Sequence, residues 1–334
     1  MTAIAPGKII ISGEHSVVYG KPALVMAVDR FARANVQPQN SGLISFDLLD
    51  FHQSSSFTLQ ALRELKRRLL KNYHLFLQGQ LSIRDVLSKP FELFQFLFIT
   101  MLDGLQLKMD RGINITLQSD IPIGCGMGSS AATILSVLRA VTEFFALDFV
   151  PDRFYDFGLE AEKLQHGRPS GVDPYISLHG GFVRFQNKKA KKRPLPDLPM
   201  YIVNTGTPDS STGECVSAVR QKFEDSTIWE DFEAVTAEME TALTENDLSQ
   251  TQMLVRENHK LLQSIGVVPE RIQQFIQDIA REGGAAKISG AGAVRGNRGG
   301  MVLIFSEQPP TTICEKYHYQ LLPIRGEETG ARIV

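Results

Sequence analysis

Three glycines at alternate positions followed by two serines, Gly124-Cys125-Gly126-Met127-Gly128-Ser129-Ser130, form the stretch of this chain best suited to hold an anion. Glycine lets backbone amides approach a ligand closely and adopt positive φ. Just before it, residues 113–118 alternate apolar and polar, which predicts a half-buried strand. Just after it, Ala131, Leu135, Leu138 and Phe145 recur at helical spacing, and Ala132, Ser136, Arg139 and Glu143 form a more polar stripe opposite. A strand therefore feeds a helix that opens on two serines. The unpaired amides and the positive dipole end of such a helix favour a phosphate, whose metal the hydroxyls could also reach. The run is neither a GxxxxGK[ST] loop, since no lysine precedes the serines, nor a GxGxxG fingerprint. A tight turn of small packing residues accounts for it as well.

Two further clusters have the residue types for chemistry. Lys8, Glu14 and His15 fall within eight residues, at the start of a strand and in the loop after it, where a plain polar turn is the alternative. Glu162 and Asp173 flank the Gly/Pro break of residues 166–174. One could serve as metal ligand and the other as base, or they could be a helix-end surface carboxylate and a cap. The basic run 188–193, followed by Pro194, Pro196 and Pro199, reads as a solvated hairpin near a domain boundary or as a phosphate-binding patch. Ser289-Gly290-Ala291-Gly292 is a second small-residue turn after a strand, placed to face the first.

The elements that must position these residues follow from periodicity. Strands are predicted at 8–11, 23–28, 43–49, 180–185, 200–203, 286–289, 301–305 and 319–322. Helices are predicted at 58–73, with Leu62, Leu65 and Leu69 on one face, and at 152–166, 212–223, 229–243, 248–264 and 269–282. Residues 74–108 read as helical. Their most apolar part, 91–107, is interrupted by Glu92, Gln95 and Asp103, so it is a core helix rather than a bilayer span.

At 334 residues the chain has length for two domains, the second of them α+β. A net charge of -2 argues against general nucleic-acid binding. The three cysteines, Cys125, Cys215 and Cys314, lack metal spacing and suit a reducing cytosol. Lys8 and Glu14 interrupt the short apolar start, so no secretory signal is expected and the chain is placed in the cytoplasm. Cys125, if exposed in an anion-binding loop, would have a lowered thiol pKa; the alternative is a buried, inert thiol.

Three blocks together resemble the GHMP kinase superfamily: Ala5-Pro6-Gly7-Lys8 through Gly13-Glu14-His15 to Val18-Tyr19-Gly20, then residues 122–132, then Lys287-Ile288-Ser289-Gly290-Ala291-Gly292. His166-Gly167-Arg168-Pro169-Ser170-Gly171-Val172-Asp173 is similar to the mevalonate kinases in particular, as is Asn258-His259-Lys260-Leu261-Leu262. The resemblance implies an α+β two-domain fold with the active site in the cleft between the domains. Residues 1–193 would form an N-terminal ATP-binding, ribosomal protein S5 domain 2-like α/β domain, and 194–334 a C-terminal ferredoxin-like α+β domain. It implies an ATP-dependent phosphotransferase with an alcohol acceptor, phosphorylating the mevalonate 5-hydroxyl in isoprenoid precursor biosynthesis. Gly124, Gly126, Met127, Gly128, Ser129 and Ser130 would hold ATP phosphates, and Ser130 and Glu162 would hold Mg²⁺. Asp173 would receive the hydroxyl proton, with Lys8 paired to it and to the transferring phosphoryl. Glu14, His15 and Ser170 would line the mevalonate side, with Thr212, Gly290, Ala291 and Gly292 near acceptor and phosphates. The implied partners are ATP and mevalonate, without nucleic acid or membrane; a homodimer is left open. The third block departs from the family, continuing Ala293-Val294-Arg295-Gly296-Asn297-Arg298 in place of further glycines, so Arg295 and Arg298 either reach an anion or are solvated. The alternatives are another GHMP kinase acting on a sugar or alcohol, and an inactive nucleotide-binding regulator. Retention of Lys8, Ser130, Glu162 and Asp173 weighs against the regulator.

Overall fold

The computed structural model describes residues 1–334 apart from 90 and 168. The first part of the chain runs β1 (Thr2–Ser12), β2 (Ala23–Gln39), β3 (Ile44–Leu48), β4 (Gln53–Phe57), α1 (Leu59–Leu77), α2 (Phe91–Gly104), β5 (Gly112–Ser119), α3 (Ser129–Phe144), α4 (Pro151–His166), α5 (Val172–His179), β6 (Phe182–Gln186) and β7 (Lys189–Arg193). The second part runs β8 (Met200–Asn204), α6 (Thr212–Phe223), α7 (Ile228–Thr244), α8 (Leu248–Ser264), α9 (Glu270–Arg281), β9 (Ala285–Ser289), β10 (Met301–Phe305), α10 (Thr311–Tyr317), β11 (Gln320–Pro323) and β12 (Arg332–Ile333). One sheet has the order β12-β1-β2-β5-β3-β4, with the β6–β7 hairpin also paired to β2; the other is β11-β8-β10-β9. Pairing is antiparallel throughout except between β3 and β5. The α+β class is therefore as expected.

β1 is buried on both faces, which is why it reads as a nearly continuous apolar run rather than an alternating one. Ile9, Ile11, Leu24, Met26 and Val28 enter the main core under the helices. Ile10, Ala23, Val25 and Ala27 pack on the opposite face against Val172 and Ile176 of α5 and Val183 and Phe185 of β6. α2 is buried almost all round, as a core helix should be.

Several expectations need correction. Residues 74–108 are not one helical stretch: α1 ends at Leu77, a short 3-10 turn covers Ile83–Asp85, and α2 begins at Phe91. The more polar stripe of α3 includes Ala132 and Ser136, both fully buried. Small side chains fit there between sheet and helices, and the Ser136 hydroxyl is satisfied by donating to Thr133 O at 2.9 Å. β4, β12 and α10 had no clear signal; β4 is an exposed edge strand reading Gln-Ser-Ser-Ser-Phe. The basic run is β7, an exposed edge strand whose turn places Asn187 and Lys188 at φ 51° and 60°, the geometry of a two-residue hairpin.

The end of the chain returns to the first sheet. Asp29 N donates to Arg325 O at 3.1 Å, Glu327 N to Ala27 O at 2.9 Å, and Val334 N to Thr2 O at 3.0 Å. No described helix is long and apolar enough to cross a membrane.

Candidate active site

The glycine loop adopts the backbone its sequence permits. Gly124, Gly126 and Gly128 have φ of 71°, 90° and 70°. Gly128 is the residue on which α3 starts, and Ser129 and Ser130 are its first two helical residues. The opening amides of α3 have no partner within the helix and point out of its positive end. At Gly128 the lack of a side chain is a packing requirement too: a Cβ there would sit 3.0 Å from Lys8 Cγ and 3.7 Å from Asp173 Oδ2. Met127 contributes backbone only, since its side chain is buried in the core and its carbonyl accepts from Lys8 N at 2.9 Å.

Lys8 and Asp173 come from distant parts of the chain and meet beneath this loop. Lys8 lies in β1 and is 3% exposed. Its Nζ stands 3.3 Å from Asp173 Oδ1. Asp173 occupies the first turn of α5, where a carboxylate suits the helix dipole. Glu162, on the last turn of α4, is buried rather than a surface residue. Burial pushes its carboxyl well above the usual carboxylate range; the negative charge of Asp173 adds to this and Lys8 opposes it. Burial also lowers the His166 imidazole, against the attraction of Asp173. Ser130 Oγ donates to Gln165 Oε1 at 2.6 Å, so its lone pairs remain available to a cation. The Ser170 hydroxyl, just before α5, accepts from Val172 N at 3.3 Å. Arg168 of that motif lies outside the described residues.

Glu14 and His15 lie on the side of the second sheet. Glu14 is 1% exposed and forms an ion pair with Lys287 of β9. Burial pushes the Glu14 carboxyl up and the Lys287 ammonium down, and their mutual attraction opposes both. His15 has φ 59°, and its Nε2 lies 2.9 Å from Ala291 O. Burial lowers its pKa, so the ring is neutral and Nε2–H is the donor to that carbonyl. The two small-residue turns do face each other: a Cβ on Gly126 would lie 3.2 Å from Ser289 O, and one on Gly290 3.5 Å from Gly126 Cα. Gly292 is pressed on Val267 O, where a Cβ would come within 2.2 Å. Thr212 is exposed at the first position of α6, beside the Ser211–Glu214 capping box.

Arg295 is exposed and bound to Asp209 O at 3.0 Å and Glu214 Oε1 at 3.1 Å, while Arg298, also exposed, lies over Gly206. Cys125 is 4% exposed, and burial raises its thiol pKa, so the condition for a lowered value is not met. Sequence reasoning missed Gln165 and Lys287. Gln165 carries no signal of its own. A lysine inside the apolar strand Ala285-Ala286-Lys287-Ile288 was a readable one, because a charge there needs a buried partner.

The family model of the GHMP kinases N terminal domain matches residues 96–181. The mevalonate kinase of Pyrococcus furiosus is 31% identical over 304 residues, covering 87% of this chain and 86% of that protein. That of Thermococcus sibiricus is 30% identical over 307 residues, with the same coverage of 87% and 86%. The solved Methanococcus jannaschii mevalonate kinase superposes with a TM-score of 0.81 at 24% identity, over 98% of each chain. The Lactococcus lactis galactokinase complexed with galactose gives 0.76 at 14% identity over 100% of this chain and 95% of that one, which marks the fold as shared beyond one substrate. The matched domain spans the glycine loop and the Glu162 and Asp173 region, and the relatives align over most of both chains: the chain belongs to the mevalonate kinase family of the GHMP kinases.

Proposed function

We propose that this chain transfers the γ-phosphoryl of Mg-ATP to the 5-hydroxyl of mevalonate in the cleft between residues 1–193 and 194–334, with residues 324–334 returned to the first part. The observation that carries the reading is the Lys8–Asp173 pair, 3.3 Å apart and packed directly under Gly128 where α3 begins. Phosphoryl transfer needs positioning and charge stabilisation more than covalent help from the protein. In this reading the amides of Gly124 to Ser129 hold the ATP phosphates at the positive end of α3. Lys8 neutralises charge on the transferring group, and Asp173 Oδ accepts the proton that leaves the attacking hydroxyl. His15, Ser170, Thr212 and the Gly290-Ala291-Gly292 turn border the acceptor, with Glu14 acting behind His15.

The donor set fits magnesium. Glu162 and Asp173 bring two carboxylates into mutual repulsion with Lys8 as the opposing cation, an arrangement a hard dication would relieve. Among the described residues no group of three His, Cys, Asp or Glu side chains forms a complete cage. That suits an ion which takes one or two carboxylates and completes its shell with phosphates and water. Glu162 and Ser130 would hold it, and it would neutralise charge on the ATP phosphates.

The test is ADP release by the purified protein with Mg-ATP and mevalonate, beside galactose, homoserine and phosphomevalonate. Turnover on mevalonate alone is expected. Turnover on another alcohol instead would move the substrate, and tight nucleotide binding without turnover on any of them would make the chain a regulator.

A further inference from the structure

Lys287 is fully buried in β9 and has no place in the phosphoryl-transfer scheme above. Its ammonium lies on the Glu14 carboxylate and 3.4 Å from Ile10 O. The alternate positions that follow it reach the same segment. Ser289 Oγ accepts from Ile10 N at 3.0 Å and donates to Ile10 O at 3.1 Å, and Ala291 O takes the His15 ring at 2.9 Å. Residues two apart on a strand share a face. Ala286 and Ile288, on either side of Lys287, point the other way, into the core of the second part. One face of β9 and its turn therefore engages residues 10–15: Lys287 reaches Ile10 and Glu14, Ser289 reaches Ile10, and Ala291 reaches His15.

A buried ion pair is weak evidence for stability, because desolvating two charges offsets most of their attraction and a well-packed apolar pair does as well. Its use here is better sought in geometry. His15 sits at φ 59°, a conformation a non-glycine residue keeps only when its surroundings impose it. The Glu14–Lys287 pair adjoins it in the chain, and the Ala291 carbonyl takes its ring.

We propose that Lys287, seconded by Ser289, is a positioning residue: it locks Glu14 so that His15 and the Lys8 end of β1 are held at a fixed register to the acceptor side of the site. The inference deepens the mevalonate kinase reading and rests on it. The test compares wild type with the double variant Glu14→Gln/Lys287→Met, which removes both charges and leaves neither buried alone, and with Ser289→Ala. Three measurements are made: thermal unfolding, the ring-nitrogen NMR signals of His15 (assigned by difference from His15→Gln), and KM for mevalonate and ATP with kcat.

The double variant is expected to unfold near the wild-type temperature, to lose the His15 Nε2–H tautomer signature, and to raise the mevalonate KM or lower kcat by about tenfold to a hundredfold. The ATP KM should stay near wild type, and Ser289→Ala should move the same quantities less. A folded double variant with wild-type His15 signals and kinetics overturns the proposal, leaving Lys287 a packing residue. If the double variant does not fold, Ser289→Ala decides: displaced His15 signals support the proposal, and wild-type signals with wild-type KM overturn it. A wild-type protein inactive on mevalonate overturns the substrate reading instead, while the His15 signals still report the positioning without any turnover.

Discussion

In the proposed reaction Asp173 is the base, and its substitution should separate binding from catalysis. Asp173→Asn keeps the shape and the first-turn position in α5 but removes the proton acceptor. A positioned general base contributes typically 10²–10⁴-fold, so kcat should fall by about that factor. Nucleotide affinity should change little, because the glycine loop is untouched; calorimetric titration with ADP beside the ADP-release assay checks both, and near-normal turnover would remove Asp173 from the base role. A second residue-scale outcome concerns His259, on α8, whose pKa burial and the nearby Lys287 lower from 6.5 to about 4. The unfolded chain binds a proton there near pH 6.5 that the folded chain refuses until about pH 4. Its share of stability is thus complete above 6.5 and is lost as the pH falls through that window, by about 2 kcal/mol at pH 5. His15 and His166, lowered for the same reason, act in the same direction. Glu14 and Glu162, whose carboxyls burial raises, act in the opposite sense, so the His259 share is the amount by which His259→Gln changes the shift in urea midpoint between pH 7 and pH 5. Individual residues were partly legible in the sequence. Lys8, Glu162 and Asp173 stood out because charged side chains beside glycine breaks are uncommon in apolar surroundings. The Glu14–Lys287 partnership did not, because its members are 273 positions apart and only the fold brings them together.

At the scale of elements, the start of α3 shows how local sequence sets site geometry. Glycine at 128 lets the chain enter the helix from a left-handed residue while Lys8 passes directly beneath. Gly128→Ala would place a methyl 3.0 Å from Lys8 Cγ and hold an alanine at φ 70°, which by itself costs about 1–2 kcal/mol. The expected result is a melting temperature lower by a few degrees and a loss of kcat larger than the stability change accounts for, because Lys8 must shift away from Asp173. Differential scanning calorimetry and steady-state kinetics on the same preparation make the comparison; unchanged kcat would show that the close approach is not needed. Long periodic elements were the most legible. α6, α8 and α9 fall within a residue or two of their predicted limits, since their apolar spacing and caps are local properties. β4 and β12 were not, because an exposed edge strand and a two-residue strand are defined by the partner they pair with rather than by their own pattern. On α3 the pattern marks a more polar stripe, but that its Ala132 and Ser136 are buried is known only once the packing on both sides is seen.

On the scale of the whole molecule, the two halves of the sequence are not two independent bodies laid end to end. After β11 the chain leaves the second sheet and crosses back over the first. Gly181 N donates to Glu327 O at 2.7 Å, Ala331 N to Leu178 O at 3.2 Å, and β12 pairs Ile333 with Ala3 and Arg332 with Ile4. Ile324 is 5% exposed, and the partly buried Ala331 and Ile333 pack on the main core. With the bonds from Asp29, Ala27 and Thr2 these contacts include five backbone hydrogen bonds to the first part, at about 1 kcal/mol each. Their sum is comparable with the about 5–15 kcal/mol by which a domain is stable at all. Removing residues 324–334 should therefore do more than shorten a loose end. β1 would become an exposed edge on the strand that carries Lys8, and Leu178 and His179 would lose the backbone that closes the far end of α5, the helix that carries Asp173. The expected outcome is a truncated protein with a much lower unfolding temperature and a tendency to associate through the bared edge. Adding the missing segment as a free peptide should restore part of both the stability and the ADP release. A truncated chain that melts with the full-length protein and turns over normally would show that the returning segment decorates the sheet without supporting it, and that β1 and α5 hold Lys8 and Asp173 together without it.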